Sequence, residues 1–377
     1  MNIDAISISL IFHLLLWMLG FLFLFRIPYC ENIITKIKRN PSLSVIIPAR
    51  NEEKNLPYLL ASLKCQVPLP DEIIVVDDYS EDRTKILAEQ QGAMVVVSQP
   101  LPEGWLGKTW ACYQGSQRST GEILVFLDAD TVLEENGLRK IIGTYMSNFG
   151  VFSIQPFHRM IRFYEQFSAF FNIIIMAAMG SFTIIGNRIK PIGLFGPAMV
   201  LTRKQYNYGG GHEMVKGDIL EDLAYGSALK REEVRIHCYG GRNAISFRMY
   251  PNGIKELING WSKGFALGAT KTSIPVLIMI VAWIIGGIGT IRYLIQAITV
   301  TDTMQIMLWA IQYLCYVTQI YWMLRRIGNF KFYTALFYPI PLLFFVLVFA
   351  YSFVLIFLKR TVKWKGREID LKRNTDK

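Results

Sequence analysis

The sequence predicts an α/β domain built on a parallel sheet, with transmembrane helices before and after it. Three observations carry this expectation. Hydrophobic residues fill 52% of the 377 positions, and mean hydropathy is +0.30. The excess is uneven, collecting before Phe25 and again after Ser273. Between those zones, short β-branched runs alternate with helical stretches.

Ile6 to Phe25 is an apolar run broken mainly by Ser7, Ser9 and His13, about the 20 residues that a spanning helix needs. No basic stretch precedes it and no small-x-small cleavage site follows, so it reads as an uncleaved anchor rather than a signal peptide. Arg26, Lys36, Lys38 and Arg39 come next, and flanking positive charge stays cytoplasmic. Residues 1–26 are thus expected to anchor a cytoplasmic domain, with the N-terminus outside.

Five runs follow: Ser44 to Pro48, Glu72 to Asp78, Ala93 to Ser98, Glu122 to Asp130 and Val151 to Phe157. Near-continuous apolar runs of this length, each followed by a helical segment, indicate a parallel sheet covered on both faces. Ligands of such sheets bind beyond the carboxyl ends of the strands. The globular domain is expected over 41–250. Phe163 to Ile185 is apolar for about one span yet carries Glu165, Gln166 and Asn172. It is expected as a buried or interfacial helix forming part of an apolar acceptor groove, the alternative being a true span.

An interfacial linker is expected over 251–273 and a transmembrane region over 274–358. Ile274 to Val300, Met304 to Leu324 and Tyr333 to Leu358 are each long enough to cross. Three crossings would put the basic tail, 359–377, outside, against the positive-inside rule. A cytoplasmic tail therefore requires one segment to be re-entrant or interfacial. Pro339 and Pro341 single out the last one, because proline removes a backbone donor and kinks helices.

The net charge of +11 is not a nucleic-acid signature. Its lysines and arginines flank apolar segments: Arg325, Arg326 and Lys331, then Lys359, Arg360, Lys363, Lys365 and Arg367. Positive charge so placed faces anionic headgroups, and no nucleic-acid-binding module pattern occurs. The five cysteines are scattered without C-x-x-C spacing, which suggests neither a disulfide framework nor a zinc site. No Gly-x-Gly-x-x-Gly follows a strand, which disfavours a dinucleotide oxidoreductase.

Asp128-Ala129-Asp130 reads as a strand end, where residues two apart share a face. Two such carboxylates can hold a divalent cation against a diphosphate, since Mg²⁺ binds through one or two carboxylates plus phosphate oxygens. Asp77-Asp78-Tyr79-Ser80 is a second acidic strand end. Asp78 there can accept from the N–H of a uracil ring or a ribose hydroxyl, with Ser80 or Asp82 capping the next helix. Lys108, beside a glycine, can place a cation on a diphosphate. His212 has no second histidine or cysteine at ligand spacing, and is read as an acceptor-site or structural hydrogen-bonding group. Glu221-Asp222 opens a helix, where acidic residues also complement the helix dipole.

Pro48-Ala49-Arg50-Asn51-Glu52-Glu53 after the first run, the Asp-Asp pair after the second and the Asp-x-Asp after a later one resemble family 2 glycosyltransferases. The resemblance implies a GT-A fold, a Rossmann-like nucleotide-sugar-binding domain. It implies donor binding by Pro48, Arg50, Glu52, Asp78, Lys108 and Asp128, with Mg²⁺ or Mn²⁺ on Asp128 and Asp130. It also implies that Asp222, with Glu221 beside it, is the general base. The polymerising members carry Gln-x-x-Arg-Trp after the base. Here Phe247-Arg248-Met249-Tyr250 keeps only the arginine, which weakens a polymerising role but leaves Arg248 to pair with phosphate oxygens.

A closer set comprises Gly104 to Cys112, Arg162 to Glu165, Phe195-Gly196-Pro197, Gly210-Gly211-His212, Phe247 to Tyr250, Gly260 to Lys263 and Trp364 to Arg367. It is similar to the carotenoid-acid glucosyltransferases, the 4,4'-diaponeurosporenoate glycosyltransferases. That likeness implies an inverting transfer of a hexose, glucose from UDP-glucose, to the carboxylate of a C30 carotenoid acid at a membrane. The alternatives are another membrane lipid acceptor, such as a polyprenyl phosphate or diacylglycerol, and a nucleotide-binding membrane scaffold without turnover.

Overall fold

The computed structural model describes residues 3–32, 41–184, 190–359, 361–364 and 367–370. The chain forms two compact units, each assembled from three stretches.

One unit comprises Pro28–Arg159, Pro191–Met249 and Lys359–Lys377. Its main sheet has seven strands: β1 (Leu43–Ala49), β2 (Glu72–Asp77), β3 (Met94–Val97), β4 (Ile123–Leu127), β6 (Val151–Gln155), β8 (Ala198–Thr202) and β9 (Ile236–Gly240), in the order β3-β2-β1-β4-β8-β6-β9. Alternate side chains leave a strand on opposite faces. Val45 and Ile47 therefore pack with Leu56, Leu59, Leu60 and Leu63 of α2 (Leu56–Lys64). Ile46 packs on the other face with Leu124, Phe126, Met199 and Leu201. Both faces are covered, as expected.

The sheet is mixed rather than parallel. β8 runs antiparallel to both β4 and β6, and nothing in the composition of its run, Ala-Met-Val-Leu-Thr, encodes that direction. Two further boundaries differ from expectation. β4 ends at Leu127, because the N–H and Oγ1 of Thr131 both donate to the Asp128 carbonyl, at 3.1 and 2.8 Å, closing a turn. Asp128 and Asp130 lie in that turn, so strand alternation does not set their directions. The run Val151 to Phe157 breaks at Pro156, which lacks a ladder donor. Beyond the break, β7 (Phe157–His158) joins β5 (Thr131–Leu133) and β10 (Ile245–Phe247) in a small sheet of order β5-β10-β7.

The other unit comprises Met1–Ile27, Met160–Lys190 and Tyr250–Leu358. α1 (Ile3–Phe23) packs along α11 (Ile274–Val300) and α12 (Thr303–Ile327). Small residues permit the approach, and side-chain amides bond across it. A Cβ on Gly289 would strike the His13 ring, and one on Gly286 would meet Leu16. Gln319 of α12 donates from Nε2 to the Trp17 carbonyl at 2.9 Å and accepts from Trp283 Nε1 at 2.7 Å.

Phe163 to Ser168 forms a 3₁₀ turn that leads into α6 (Ala169–Ala178), buried nearly all round. Its polar residues are satisfied internally. Gln166 Oε1 accepts from the Lys331 N–H and Thr334 Oγ1, and Asn172 Nδ2 donates to the Ser168 carbonyl. Ile185 lies outside the described residues. The segment from Tyr333 is two helices, α13 (Phe332–Leu336) and α14 (Pro339–Phe353), continued by a π-helical turn, Val354–Lys359. Pro339 and Pro341 begin α14 instead of kinking it. In the first turn their missing N–H groups would have had no helical partner. Among the described residues, two helices are long and apolar enough to cross a membrane, Ile274–Val300 and Pro339–Phe357.

Candidate active site

Three neighbouring strands, β2, β1 and β4, deliver the acidic and basic residues at their carboxyl ends. β1 pairs with β4 only over Leu43–Ile46, so Pro48 sits where the strand has left that neighbour and its missing donor costs no bond there. Beyond it, Arg50 Nη1 donates to the Asp78 carbonyl at 2.8 Å and lies 3.7 Å from Asp78 Oδ2. Both side chains are nearly buried, at 12% and 5% exposure. The two loops are laced together. Ser80 Oγ accepts from the Asn51 N–H, Asp82 accepts from the Glu53 and Thr84 N–H groups, and Glu52 donates its N–H to Thr84 Oγ1. Asp82, rather than Ser80, serves the start of α3 (Thr84–Gln90).

Asn51 and Tyr79 both adopt left-handed backbone, with φ of 54° and 53°. Such residues cost energy and cluster at ligand sites. Asp77 was passed over in the sequence in favour of Asp78. It is 4% exposed, its Oδ1 has no hydrogen-bond partner, and Oδ2 accepts only a long 3.4 Å bond from the Ser80 N–H. Nothing in the pattern separates two adjacent aspartates, and both are buried; what differs is that Arg50 pairs with Asp78 while Asp77 Oδ1 has no partner.

The centre of the site is Lys108, in the first turn of α4 (Gly107–Arg118). Its Nζ lies 3.0 Å from Asp128 Oδ1, 3.2 Å from Asp128 Oδ2 and 3.3 Å from Glu221 Oε1. Glu221 and Asp222 open α8 (Glu221–Arg231). Burial alone would lower the Lys108 ammonium, but Asp128, Asp222 and Glu221 outweigh it and hold it well above the ordinary lysine range. Burial and the neighbouring Glu221 raise the Asp222 carboxyl well above its ordinary value, against the opposing pull of Lys108.

The start of α4 is fixed from outside. The Leu106 N–H and Thr109 Oγ1 both donate to the Lys216 carbonyl, at 2.8 and 3.0 Å. The segment that presents Lys216 is seated by His212, whose Nδ1 meets Tyr206 Oη at 2.9 Å and whose ring packs on Phe126 and Tyr225. Burial, with Lys108 adding to it, pushes His212 down to about 3. It is a neutral, structural imidazole.

Asp130 and Arg248 adjoin the small sheet. Thr131 pairs with Phe247 in antiparallel register, and Asp130 precedes and Arg248 follows that last pair by one residue. Among the described residues no group of three or more metal-ligating side chains occurs. Asp128 and Asp130 therefore supply at most a two-carboxylate site, which suits a cation that takes its remaining ligands from phosphate and water.

Residues 44–207 match the family described as Glycosyl transferase family 2. The chain is 36% identical over 336 residues to a 4,4'-diaponeurosporenoate glycosyltransferase of Staphylococcus haemolyticus, covering 88% of this chain and 89% of that one. It is 34% identical, with the same coverage, to the enzyme of that name from Staphylococcus aureus. This chain is a family 2 glycosyltransferase. Among solved structures, a mannosyltransferase from Pyrobaculum calidifontis in complex with GDP-Man and Mn²⁺ shares the fold. Its TM-score is 0.52 at 16% identity, covering 93% of this chain and 96% of that one. The glycosyltransferase thus has the GT-A α/β fold with a mixed sheet and acts as a hexosyltransferase, grouped with the carotenoid-acid enzymes.

One residue of this glycosyltransferase's site gave no spacing signal. Gly196 lies against the Asp222 carboxylate, 26 positions along the chain. Its tripeptide was visible in the sequence only as part of a resemblance.

Proposed function

We propose that this enzyme moves glucose from UDP-glucose to the carboxylate of a C30 carotenoid acid, 4,4'-diaponeurosporenoate, at the cytoplasmic face of a membrane. The observation that carries this reading is Lys108 held between Asp128 and the Glu221-Asp222 pair at the sheet's carboxyl edge. It occurs in a chain whose relatives are named for that acceptor. An acceptor oxygen attacks the anomeric carbon with inversion. The bond to the diphosphate breaks, and UDP leaves with the electron pair.

In this reading Asp78, oriented by Arg50, and Asp77 hold the nucleoside through their acceptor oxygens. Pro48 and Glu52 shape that pocket. Lys108 and Arg248 offset charge growing on the diphosphate, usually the largest contribution in such chemistry. Asp128 and Asp130 would hold Mg²⁺ or Mn²⁺, which when bound would neutralise the leaving group. Asp222 orients the acceptor and takes its proton where it has one. Residues 1–26 and 274–358 anchor the enzyme, 251–273 lies at the interface, and the 41–250 region and the 359–377 tail face the cytoplasm.

Expression in a host that makes the carotenoid acid, with mass analysis of its pigments, tests this. The expected result is a new hexose ester of that acid. A hexose on a polyprenyl phosphate or diacylglycerol instead would replace the acceptor. No UDP release with any lipid would leave only nucleotide binding.

A further inference from the structure

We propose that Gly196 is the seat of the Asp222 carboxylate, a positioning residue whose missing side chain sets where that carboxylate stands. This rests on the role given above to Asp222. A Cβ built on Gly196 would lie 2.6 Å from Asp222 Cγ and 2.9 Å from Oδ1, and closer still to Oδ2. The carboxylate therefore rests on the Gly196 Cα.

Gly196 is not among the residues with positive φ, so an L-residue could adopt its backbone. Space is what excludes one. The backbone there cannot retreat, because both neighbours are tied. Ser153 Oγ donates to the Phe195 carbonyl at 3.2 Å and accepts the Phe195 N–H. The Pro197 carbonyl accepts the Asp128 N–H at 2.9 Å. On the helix side, the Leu194 N–H donates to the Asp222 carbonyl at 3.2 Å. One tripeptide thus fixes the backbone of Asp128 and the side chain of Asp222.

Two nearby glycines supply the contrast. A Cβ on Gly193 would meet Leu223 Cα at 2.5 Å, and one on Gly226 would meet Gly193 Cα at 2.5 Å. Those positions hold backbone against backbone, and a side chain at either would disturb the fold. At Gly196 the obstacle is the end of a short side chain, which can swing aside. An alanine there displaces the carboxylate and leaves the fold in place. Misplacement of a catalytic group by about 1 Å can cost roughly 10²-fold in rate.

The test compares Gly196→Ala, Asp222→Ala and the double variant in the full-length membrane enzyme, with UDP-glucose and 4,4'-diaponeurosporenoate. Gly196→Ala is expected to lower kcat at least ten-fold with unchanged Tm and unchanged KM for UDP-glucose. In the Asp222→Ala background, where the obstacle is gone, the same substitution is expected to change nothing. An undiminished Gly196→Ala penalty in an already impaired Asp222→Ala enzyme would overturn the seat alone. Wild-type turnover by Asp222→Ala would instead remove Asp222 from the reaction, and the seat with it.

Discussion

Lys108 Nζ stands 3.0 Å from Asp128 Oδ1, so the carboxylate assigned to the metal already faces a cation supplied by the protein. The same ammonium reaches Glu221 at 3.3 Å. One positive charge thus balances acidic groups that arrive from the turn after β4 and from α8, and in the proposed reading the donor diphosphate would enter beside it.

Lys108→Met is expected to lower kcat by about 10²- to 10³-fold, the loss typical when one preorganised stabiliser of developing charge is removed. It also strands carboxylates that the ammonium had neutralised. The raised Lys108 pKa means its stabilising effect is complete below the unfolded value of about 10.4 and is lost only as pH rises through the folded one. The variant's Tm deficit should accordingly be clear at pH 7–8 and shrink toward pH 4, as the stranded carboxylates take up protons. Thermal unfolding across that range checks it, and a deficit independent of pH would contradict the charge balance.

Asp222 gives a second pH signature. Its folded pKa lies above the unfolded value of about 3.9, so the native state binds the extra proton. Stability from this group is present below that value and falls as pH rises through the folded pKa. Asp222→Asn should therefore raise Tm at neutral pH and converge with the wild type near pH 4. The same variant reports on the acceptor. General-base catalysis contributes about 10²- to 10⁴-fold, but a carboxylic acid is already ionised at neutral pH. A loss distinctly below that range fits a carboxylate acceptor, whereas 10³-fold or more with unchanged donor affinity would point to a hydroxyl.

Asp130→Ala is expected to abolish transfer while leaving membrane insertion intact. Activity titrated against Mn²⁺ and against Mg²⁺ would check the assignment. Near-normal turnover at ordinary metal concentrations would defeat it.

Cys65 is exposed, whereas Cys30, Cys112 and Cys238 are buried. A membrane-impermeant maleimide applied to intact cells should leave Cys65 unmodified, and permeabilised cells should show it modified. Labelling from outside would reverse the proposed orientation. Cys112, one helical turn from Lys108, is too buried to report on sidedness.

The strand ends were legible because each closes a β-branched run, and hydrophobic periodicity needs no knowledge of distant residues. Lys108, Asp128 and Glu221 were each visible in their own motifs, but their meeting was not. It joins the first turns of α4 and α8 to a turn after β4, and no local pattern encodes that. β8 was missed, and with it the mixed character of the sheet, because strand direction is set by distant pairing and not by the composition of a run. Gly196 was illegible for a deeper reason: a glycine kept free of side chain by a remote carboxylate looks like any other glycine.

The bond from Gln319 Nε2 to the Trp17 carbonyl closes a loop of 302 residues. At roughly 5 to 20 residues per second, α1 leaves the ribosome on the order of 15 to 60 seconds before its partner in α12 exists. Until α11 is made, its inward face, with Gly20, Trp17 and His13, has neither α11 nor α12 to pack against. Assembly of the helical unit is therefore among the last events in the life of the nascent chain. A message truncated before codon 274 would yield a product whose first helix is made yet has neither α11 nor α12 to dock on.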